Sequence, residues 1–124
     1  MSSLFCLDTY ALVEIALGNE KFTKYFDKQF VIPDLILAEF YGVELRVNNE
    51  ATADYWYRKL STYAVSLPKE ALIQGVKFRF ANKDKNLSFF DAVGYVFSKK
   101  NGLLFVTGDK EFEGLDGAEF VKRG

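Results

Sequence analysis

The sequence predicts an α/β fold, a three-layer sandwich with helices on both faces of a mostly parallel sheet. Short apolar runs, typical of strands, alternate along the chain with longer segments in which apolar residues recur at helical spacing. The strands are continuously apolar, as expected for strands that are covered on both faces. The 124 residues are 49% hydrophobic and 27% charged, which suits one globular domain spanning 1–124.

Composition excludes several classes of function. Histidine is absent, which removes histidine-based catalysis and the usual zinc sites. Cys6 is the only cysteine, so no disulfide can form within the chain, and no apolar run has the length of a membrane-spanning helix. We therefore expect a cytoplasmic protein with no membrane contact. The net charge is −1, so contact with nucleic acid would require a local basic patch.

The first half of the chain predicts two strands and four helices. The strands are LFCL (4–7), which ends at Asp8, and FVI (30–32). Helices are predicted over 9–17 and 20–28, with Gly18-Asn19 as a stop signal between them. Pro33-Asp34 begins a third helix, and 50–62 forms a fourth. Within the third helix, the apolar stripe expected to face the core is Ile36, Phe40, Val43 and Val47.

The second half predicts three more strands and two helices. The strands are AVSL (64–67), LLFV (103–106) and AEFV (118–121). One helix runs from Pro68 to about Asn82. The next begins at Ser88, carries Phe90, Val93, Gly94 and Phe97 on one face, and ends at Asn101-Gly102.

Four acidic residues stand out: two follow strands, at the carboxyl ends where a sheet of this kind builds a ligand site, and two lie in helices where acids are not obviously needed. They are Asp8, Glu39, Asp91 and Asp109. Singly, most have a structural explanation: Asp8 could end a strand, Asp91 could form a capping box with Ser88, and Asp109 could cap a short turn. Glu39 is harder to explain in this way, because it lies between Ala38 and Phe40 beside an apolar stripe.

Four carboxylates in one place would repel one another and raise their pKa values, unless divalent cations neutralise them. Oxygen ligands without histidine or cysteine favour Mg²⁺ or Mn²⁺. Such ions support metal-assisted hydrolysis of a phosphate ester. The pattern therefore indicates a metal-dependent phosphodiesterase.

Four motifs in this order resemble the PIN-domain nucleases, and most closely the VapC-type ribonuclease toxins of VapBC toxin–antitoxin pairs. The motifs are Asp8-Thr9 after the first strand, IPDLILAEF, SFFDAVGYVF and VTGDKEF. The resemblance spans nearly the whole chain and is most specific from Ser88 to Phe112. One departure is Tyr10, where the family usually has Ser or Asn.

The resemblance implies a PIN-like fold and a Mg²⁺- or Mn²⁺-dependent endoribonuclease. Asp8, Glu39, Asp91 and Asp109 would bind the metal, and Thr107 would help order the site. The family is often dimeric and is held inactive by an antitoxin, so we expect an RNA substrate, an antitoxin partner and a homodimer.

Basic and aromatic residues suggest further contacts. Lys110 follows Asp109 directly and could contact a substrate phosphate. The stretch 76–86 interleaves lysine and arginine with phenylalanine, which could hold RNA but is more often a solvated helix face beside a core face. YWY (55–57) places three rings on one helix, so some are expected at the surface, where they could contact a partner.

Alternative functions remain open at this point. The same fold could serve in RNA processing or quality control without an antitoxin, or as an inactive PIN module that only binds. A signalling receiver domain is a different class of similar length. It needs an acidic pair at the first strand and an aspartate after a middle strand, whereas this chain has only Asp8 at the first and no aspartate directly after AVSL.

Overall fold

Parallel strands form the central sheet of the protein. The computed structural model describes residues 4–124. Its strands are β1 (Leu4–Leu7), β2 (Gln29–Pro33), β3 (Ala64–Val65), β4 (Leu104–Thr107) and β5 (Ala118–Phe120). Their order in the sheet is β3-β2-β1-β4-β5, and every pairing is parallel. The predicted mostly parallel sheet is confirmed.

Helices flank this sheet. They are α1 (Thr9–Ala16), α2 (Glu20–Thr23), α3 (Asp34–Val47), α4 (Glu50–Leu60), α5 (Lys69–Ala81) and α6 (Phe89–Lys100). Short 3-10 turns follow at Lys24–Asp27, Ser61–Tyr63 and Lys110–Phe112. Among residues 4–124, no helix is long and apolar enough to cross a membrane.

Burial of the central strands confirms the three-layer sandwich. Phe5, Cys6 and Leu7 of β1 are all buried, as are Phe105 and Val106 of β4. Because successive side chains of a strand point to opposite faces, both faces of the sheet are covered.

The chain reverses its direction across the sheet between β1 and β4. It proceeds from β1 outward to β2 and β3, and then returns to the other side of β1 to form β4 and β5. The Asp8 backbone N–H donates to the Val106 carbonyl at 3.2 Å, so the carboxyl ends of β1 and β4 lie side by side. In open parallel sheets, ligands bind in the crevice at such a reversal point.

The core stripe predicted for α3 is wrong in its last turn. Ile36 and Phe40 are buried, but Val47 is 66% exposed, and Glu44 is buried instead. The buried face therefore follows a different row of the helix surface in its second half. The Glu44 carboxylate is held by the Asn48 side-chain amide at 2.7 Å, which partly offsets the cost of burying it.

Three local predictions also need correction. The helix predicted over 20–28 is α-helical only at Glu20–Thr23 and continues as a 3-10 turn. The predicted strand 64–67 is reduced to Ala64–Val65. On α5, Phe78 packs against Tyr95 with ring centroids 5.1 Å apart, but Phe80 is 72% exposed, so the phenylalanines do not all face the core.

Candidate active site

Asp8 joins the end of β1 to the start of α1. Its Oδ1 accepts a hydrogen bond from the Ala11 N–H at 2.7 Å, so this oxygen caps the helix. Its Oδ2 is buried and has no hydrogen-bond partner within the described part of the chain. A buried carboxylate oxygen without a partner is costly, and it needs a proton or a cation to compensate.

Thr107 and Asp109 form a tight turn at the end of β4. The buried Thr107 hydroxyl accepts a hydrogen bond from the Asp109 N–H at 3.0 Å. Asp109 Oδ1 in turn accepts from the Glu111 N–H at 3.0 Å and caps the 3-10 turn that follows. Thr107 therefore fixes the backbone from which Asp109 projects.

Asp91 lies in the first turn of α6, which begins after Ser88. The Ser88 hydroxyl accepts from the Asp91 N–H at 3.0 Å, as half of the predicted capping box requires. Within the described chain the Asp91 carboxylate does not accept from the Ser88 N–H, so the reciprocal half of the box is missing, although the Ser88 hydroxyl lies close enough to lower the pKa of Asp91 in part. Capping thus accounts for the Asp91 backbone but not for its side chain.

Glu39 reaches the site from α3. The Thr9 hydroxyl donates a hydrogen bond to Glu39 Oε1. Thr9 was part of the sequence motif, but sequence reasoning gave it no role of its own. A role for Thr9 could have been inferred from its position, because Thr9 directly follows Asp8 and begins α1 beside the end of β1.

The pKa values show that the four acids act on one another. Burial raises the pKa of Asp8 well above its ordinary range, and the charges of Asp91 and, less strongly, Asp109 raise it further. The Thr107 hydroxyl lies close enough to oppose this rise in part, although it makes no hydrogen bond of normal geometry to Asp8 Oδ2. Burial, followed by the charges of Glu39 and Asp109, raises the pKa of Asp91 to about 7. Acids from four separate segments therefore contribute to one negative field.

No basic side chain of the described residues forms an ion pair that relieves this field. The ion pairs found within residues 4–124 are Lys99–Asp116, Lys100–Glu70 and Arg123–Glu14, and none includes one of the four acids. In the same part of the chain, no three acidic or cysteine side chains are grouped closely enough to hold a metal ion as a ready-made cage.

This donor set fits Mg²⁺ better than it fits a metal that needs a full protein cage. Mg²⁺ keeps several of its waters and takes only one or two carboxylates directly, together with substrate phosphate oxygens. The unpartnered Asp8 Oδ2 and the raised pKa of Asp91 are the features of this chain that such an ion would relieve. Metal binding by the four acids stays a prediction.

Lys110 and Tyr10 lie on one side of the turn that Thr107 and Asp109 form. Both line a cavity of about 290 Å³ that also contacts Gly108. The Tyr10 ring lies directly against Gly108, since a Cβ built there would be 2.1 Å from Tyr10 Cε1. The residue at which the sequence departs from the family pattern is thus packed on the turn that carries Asp109.

Comparison with known proteins identifies similar solved structures. No protein-family model matches the chain, and no curated protein matches it in sequence. VapC20 of Mycobacterium tuberculosis, described as a toxin that cleaves the sarcin–ricin loop, is 17% identical with a TM-score of 0.77, covering 97% of this chain and 98% of that one.

Two further similar structures come from complexes. A DNA-bound VapBC from Salmonella typhimurium is 22% identical with a TM-score of 0.73, and the match covers 100% of both chains. A toxin–antitoxin complex from Klebsiella pneumoniae is 18% identical with a TM-score of 0.73, covering 93% of this chain and 95% of that one.

The chain has the VapC fold. The resemblance predicted from the sequence is confirmed at this level, because the match spans nearly the whole length of both chains. In this VapC fold, Asp8 and Asp109 follow the neighbouring strands β1 and β4, where the crevice lies, and Glu39 and Asp91 come from α3 and α6.

Proposed function

We propose that this protein is a Mg²⁺- or Mn²⁺-dependent endoribonuclease and the toxin of a toxin–antitoxin pair. The observation that carries the proposal is the buried, unpartnered Asp8 Oδ2 within a field of mutually interacting carboxylates. Its location at the crevice of a sheet with the VapC fold supports it further. Its RNA substrate and its partner would both be met in the cytoplasm.

A bound divalent ion would supply an activated water and stabilise the charge that develops on the phosphate and the leaving oxygen. The protein would contribute the position of its acids. Asp8 is fixed by its cap to α1, Asp109 by the Thr107 turn, and Glu39 by the Thr9 hydroxyl. Asp91 is held by its position in the first turn of α6, beside the Ser88 hydroxyl.

Cleavage of single-stranded RNA tests the enzymatic part of the proposal. We expect cleavage with Mn²⁺ or Mg²⁺ that a chelator stops, and loss of cleavage in Asp8→Asn and in Asp91→Asn. In Asp8→Asn the amide oxygen of the new side chain can still accept from the Ala11 N–H, so this variant should remain folded. Asp27→Asn is a matched control, because Asp27 is exposed and directly precedes β2, at the amino-terminal ends of the strands and away from the crevice. Cleavage that persists in a chelator, or equal cleavage by Asp8→Asn, would reject the mechanism.

The antitoxin and the homodimer belong to the same proposal. Similar structures come from toxin–antitoxin complexes, which supports a protein partner here. The YWY helix has the expected exposure, because Tyr55 and Tyr57 are 49% and 50% exposed on α4. Ile73, Val76 and Phe80 form a second exposed apolar surface on α5. Light scattering of the purified protein would test the dimer, and co-purification with the product of a neighbouring small gene would test the antitoxin.

An inactive binding module is the second candidate, and Tyr10 is the observation that favours it. The bulky ring replaces a small polar side chain and occupies the space above Gly108. An inactive module would bind RNA but would show no metal-dependent cleavage under any condition, so the same assay separates the two functions.

A further inference from the structure

A small cavity adjoins the acidic cluster on the side of the Thr107–Asp109 turn. Its volume is about 290 Å³, and its walls include Tyr10, Gly108, Lys110, Phe120, Lys122 and Arg123. It lies beside the site because Gly108 and Lys110 are the immediate neighbours of Asp109 in the chain. The cavity and the acids therefore share one turn of backbone.

The walls of this cavity are fixed by the fold. The Tyr10 ring lies so close to the Gly108 backbone that any side chain at residue 108 would force the ring or the turn to move. On the opposite side, the Val121 N–H donates to the Thr107 carbonyl at 2.8 Å and holds the segment after β5 against the turn. A group bound in the cavity would thus keep a fixed distance from Asp109.

The charge of the cavity is opposite to that of the neighbouring site. Lys110, Lys122 and Arg123 line it, and no acidic side chain of the described residues does; Gly124 also lines it, and its backbone oxygen accepts from Lys21 Nζ at 2.6 Å. Arg123 is partly neutralised, because its Nε lies 3.4 Å from Glu14 Oε2. Lys110 and Lys122 are exposed, and neither forms an ion pair with a residue of the described range 4–124. Two uncompensated ammonium groups therefore stand next to an uncompensated cluster of acids.

We propose that this cavity binds a backbone phosphate of the RNA strand next to the one that is cleaved. This inference rests on the proposed function and names a subsite of it. An RNA strand at the acidic cluster brings several phosphates into a negative field, and only the phosphate bound to the divalent ion is neutralised there. Lys110 and Lys122 neutralise a neighbouring phosphate and so fix the register of the strand relative to the acids.

The size and chemistry of the cavity favour a phosphate over a larger group. Its volume lies at the lower limit of pockets that enclose a whole small ligand, so it suits a compact anion. Lysine ammonium groups bind phosphates as point charges without requiring a particular base. The subsite should therefore add affinity and register but no sequence preference.

The test is the salt dependence of RNA binding by the metal-free protein, measured by fluorescence anisotropy with a labelled single-stranded oligoribonucleotide. Each lost phosphate contact lowers the slope of log K against log salt by about 0.7 for single strands. For the double variant Lys110→Gln/Lys122→Gln, which removes the contact with one phosphate, we expect the slope to fall by about 0.7 and binding at 0.1 M salt to weaken roughly 5-fold.

The matched control is Lys69→Gln/Lys100→Gln, which removes the same charge at the far end of the α5–α6 pair. Lys100 is the last residue of α6, about 14 Å along the helix from Asp91, and its Nζ lies 3.4 Å from Glu70 Oε2. We expect this variant to keep the wild-type slope. An equal fall in both double variants, or no fall in the first, would overturn the subsite.

Further readouts separate this proposal from the proposed function. With metal present, the cavity variant should raise KM for RNA more than it lowers kcat, because the proposal assigns both lysines to a phosphate next to the one that is cleaved. If the wild-type protein binds RNA through the cavity but does not cleave it, the nuclease is rejected and the subsite is kept. If the protein cleaves RNA and the cavity variant binds RNA as the wild type does, the nuclease is kept and the subsite is rejected. If the variant loses binding to an acidic protein partner and keeps its affinity for RNA, the cavity is a protein contact and the inference fails. Should the double variant unfold, the Lys122→Gln single variant is expected to lower the slope by a part of this amount, because Lys110 still contacts the phosphate.

Discussion

Asp8 divides its two carboxylate oxygens between the fold and the site. Oδ1 caps α1, whereas Oδ2 is buried with no partner in the described chain. Most buried polar atoms in proteins are satisfied, so an exception of this kind usually marks a place where stability has been exchanged for function. Asp91 is a second acid whose charged form the fold disfavours, because its surroundings raise its pKa to about 7.

The first prediction concerns Asp91 and pH. Its folded-state pKa lies above the ordinary value of 3.8, so between about pH 4 and pH 7 the folded protein binds more protons than the unfolded chain. The free energy of unfolding of the metal-free protein should therefore fall as pH rises through this window. Asp91→Asn, which resembles the protonated acid, should raise the thermal midpoint at pH 8 and have little effect at pH 4.

Thermal unfolding in a chelator at several pH values measures this effect. The Ser88 cap uses the backbone of residue 91, so the substitution leaves it intact. The thermal midpoint of Asp27→Asn, compared with that of the wild type, should not rise with pH. A variant that is less stable than the wild type at pH 8 would show that the Asp91 carboxylate supports the metal-free fold instead of straining it.

The second prediction concerns Thr9, whose hydroxyl donates to Glu39. Thr9→Val keeps the shape of the side chain but removes this donor, so Glu39 loses its orientation. We expect Mn²⁺ affinity and cleavage to fall roughly 10- to 100-fold, as when other groups that orient metal ligands are removed. Stability should change by only about 1 kcal/mol.

Thr9→Ser is the matched variant, because it restores the hydroxyl without the methyl group. Mn²⁺ binding measured by calorimetry, together with urea unfolding, separates orientation from stability. Wild-type affinity in Thr9→Val would mean that Glu39 needs no help from Thr9, or that Glu39 takes no part in binding.

At the scale of elements, the close packing of α5 on α6 depends on a glycine. A Cβ at Gly75 would lie 2.4 Å from Val93 Cγ2 and 2.9 Å from Val93 Cα. Because one of these atoms belongs to the backbone, a side-chain movement alone cannot make room. The position of α6, and with it that of Asp91, therefore requires glycine at residue 75.

The third prediction follows from this contact. Gly75→Ala should lower the free energy of unfolding by roughly 1–3 kcal/mol, although alanine is the better helix former. Gly42→Ala is the matched control, because Gly42 lies within α3 and a Cβ there meets nothing within 4 Å. The control should be stabilised by about 0.5–1 kcal/mol. Urea unfolding that shows the same sign for both variants would contradict the packing argument.

Sequence reasoning located most elements because their ends carry local chemical signals. Asp8 ends β1, Ser88 caps α6 and Gly102 follows α6 with φ of +68°, and each of these signals acts over a few residues. The turn of α3 that exposes Val47 depends on what lies beside it in space. No periodicity within the segment carries that information.

In the site, too, some features follow from local sequence signals and others depend on neighbours in space. Asp8 and Asp109 could be named before any coordinates because strand ends in a parallel sheet converge, whereas Glu39 and Asp91 lie in helices and are assigned to the site by the family resemblance. Contacts between segments distant in the chain, such as Tyr10 with Gly108 or Thr9 with Glu39, depend on side-chain packing that spacing cannot give. How closely the four carboxylates approach one another also could not be predicted. In the described chain they are near enough to raise one another's pKa values but do not form a closed cage for a metal ion.

At the scale of the whole molecule, the negative field of the site should couple metal binding to stability. A ligand that binds only the folded state stabilises it by about 2.7 kcal/mol when present at 100 times its Kd. For a chain of 124 residues this corresponds to a rise in thermal midpoint on the order of 10 °C.

The fourth prediction is that Mn²⁺ raises the thermal midpoint of the wild-type protein by this amount and that a chelator reverses the rise. Asp8→Asn should abolish most of it, since the amide group replaces the unpartnered oxygen with a nitrogen that repels cations. The exposed-site variant Asp27→Asn should respond as the wild type does. An equal response from all three proteins would place the ion elsewhere on the surface.

The strand order has one more consequence, which concerns synthesis on the ribosome. Because one wall of the crevice is β4, which follows β1, β2 and β3 in the chain, the crevice cannot exist until residues 104–107 have been made. A nascent chain that has reached only α6 has Asp8, Glu39 and Asp91 but neither Thr107 nor Asp109. If the protein is the nuclease proposed above, such a chain should not cleave the messenger that encodes it, because its site still lacks Asp109.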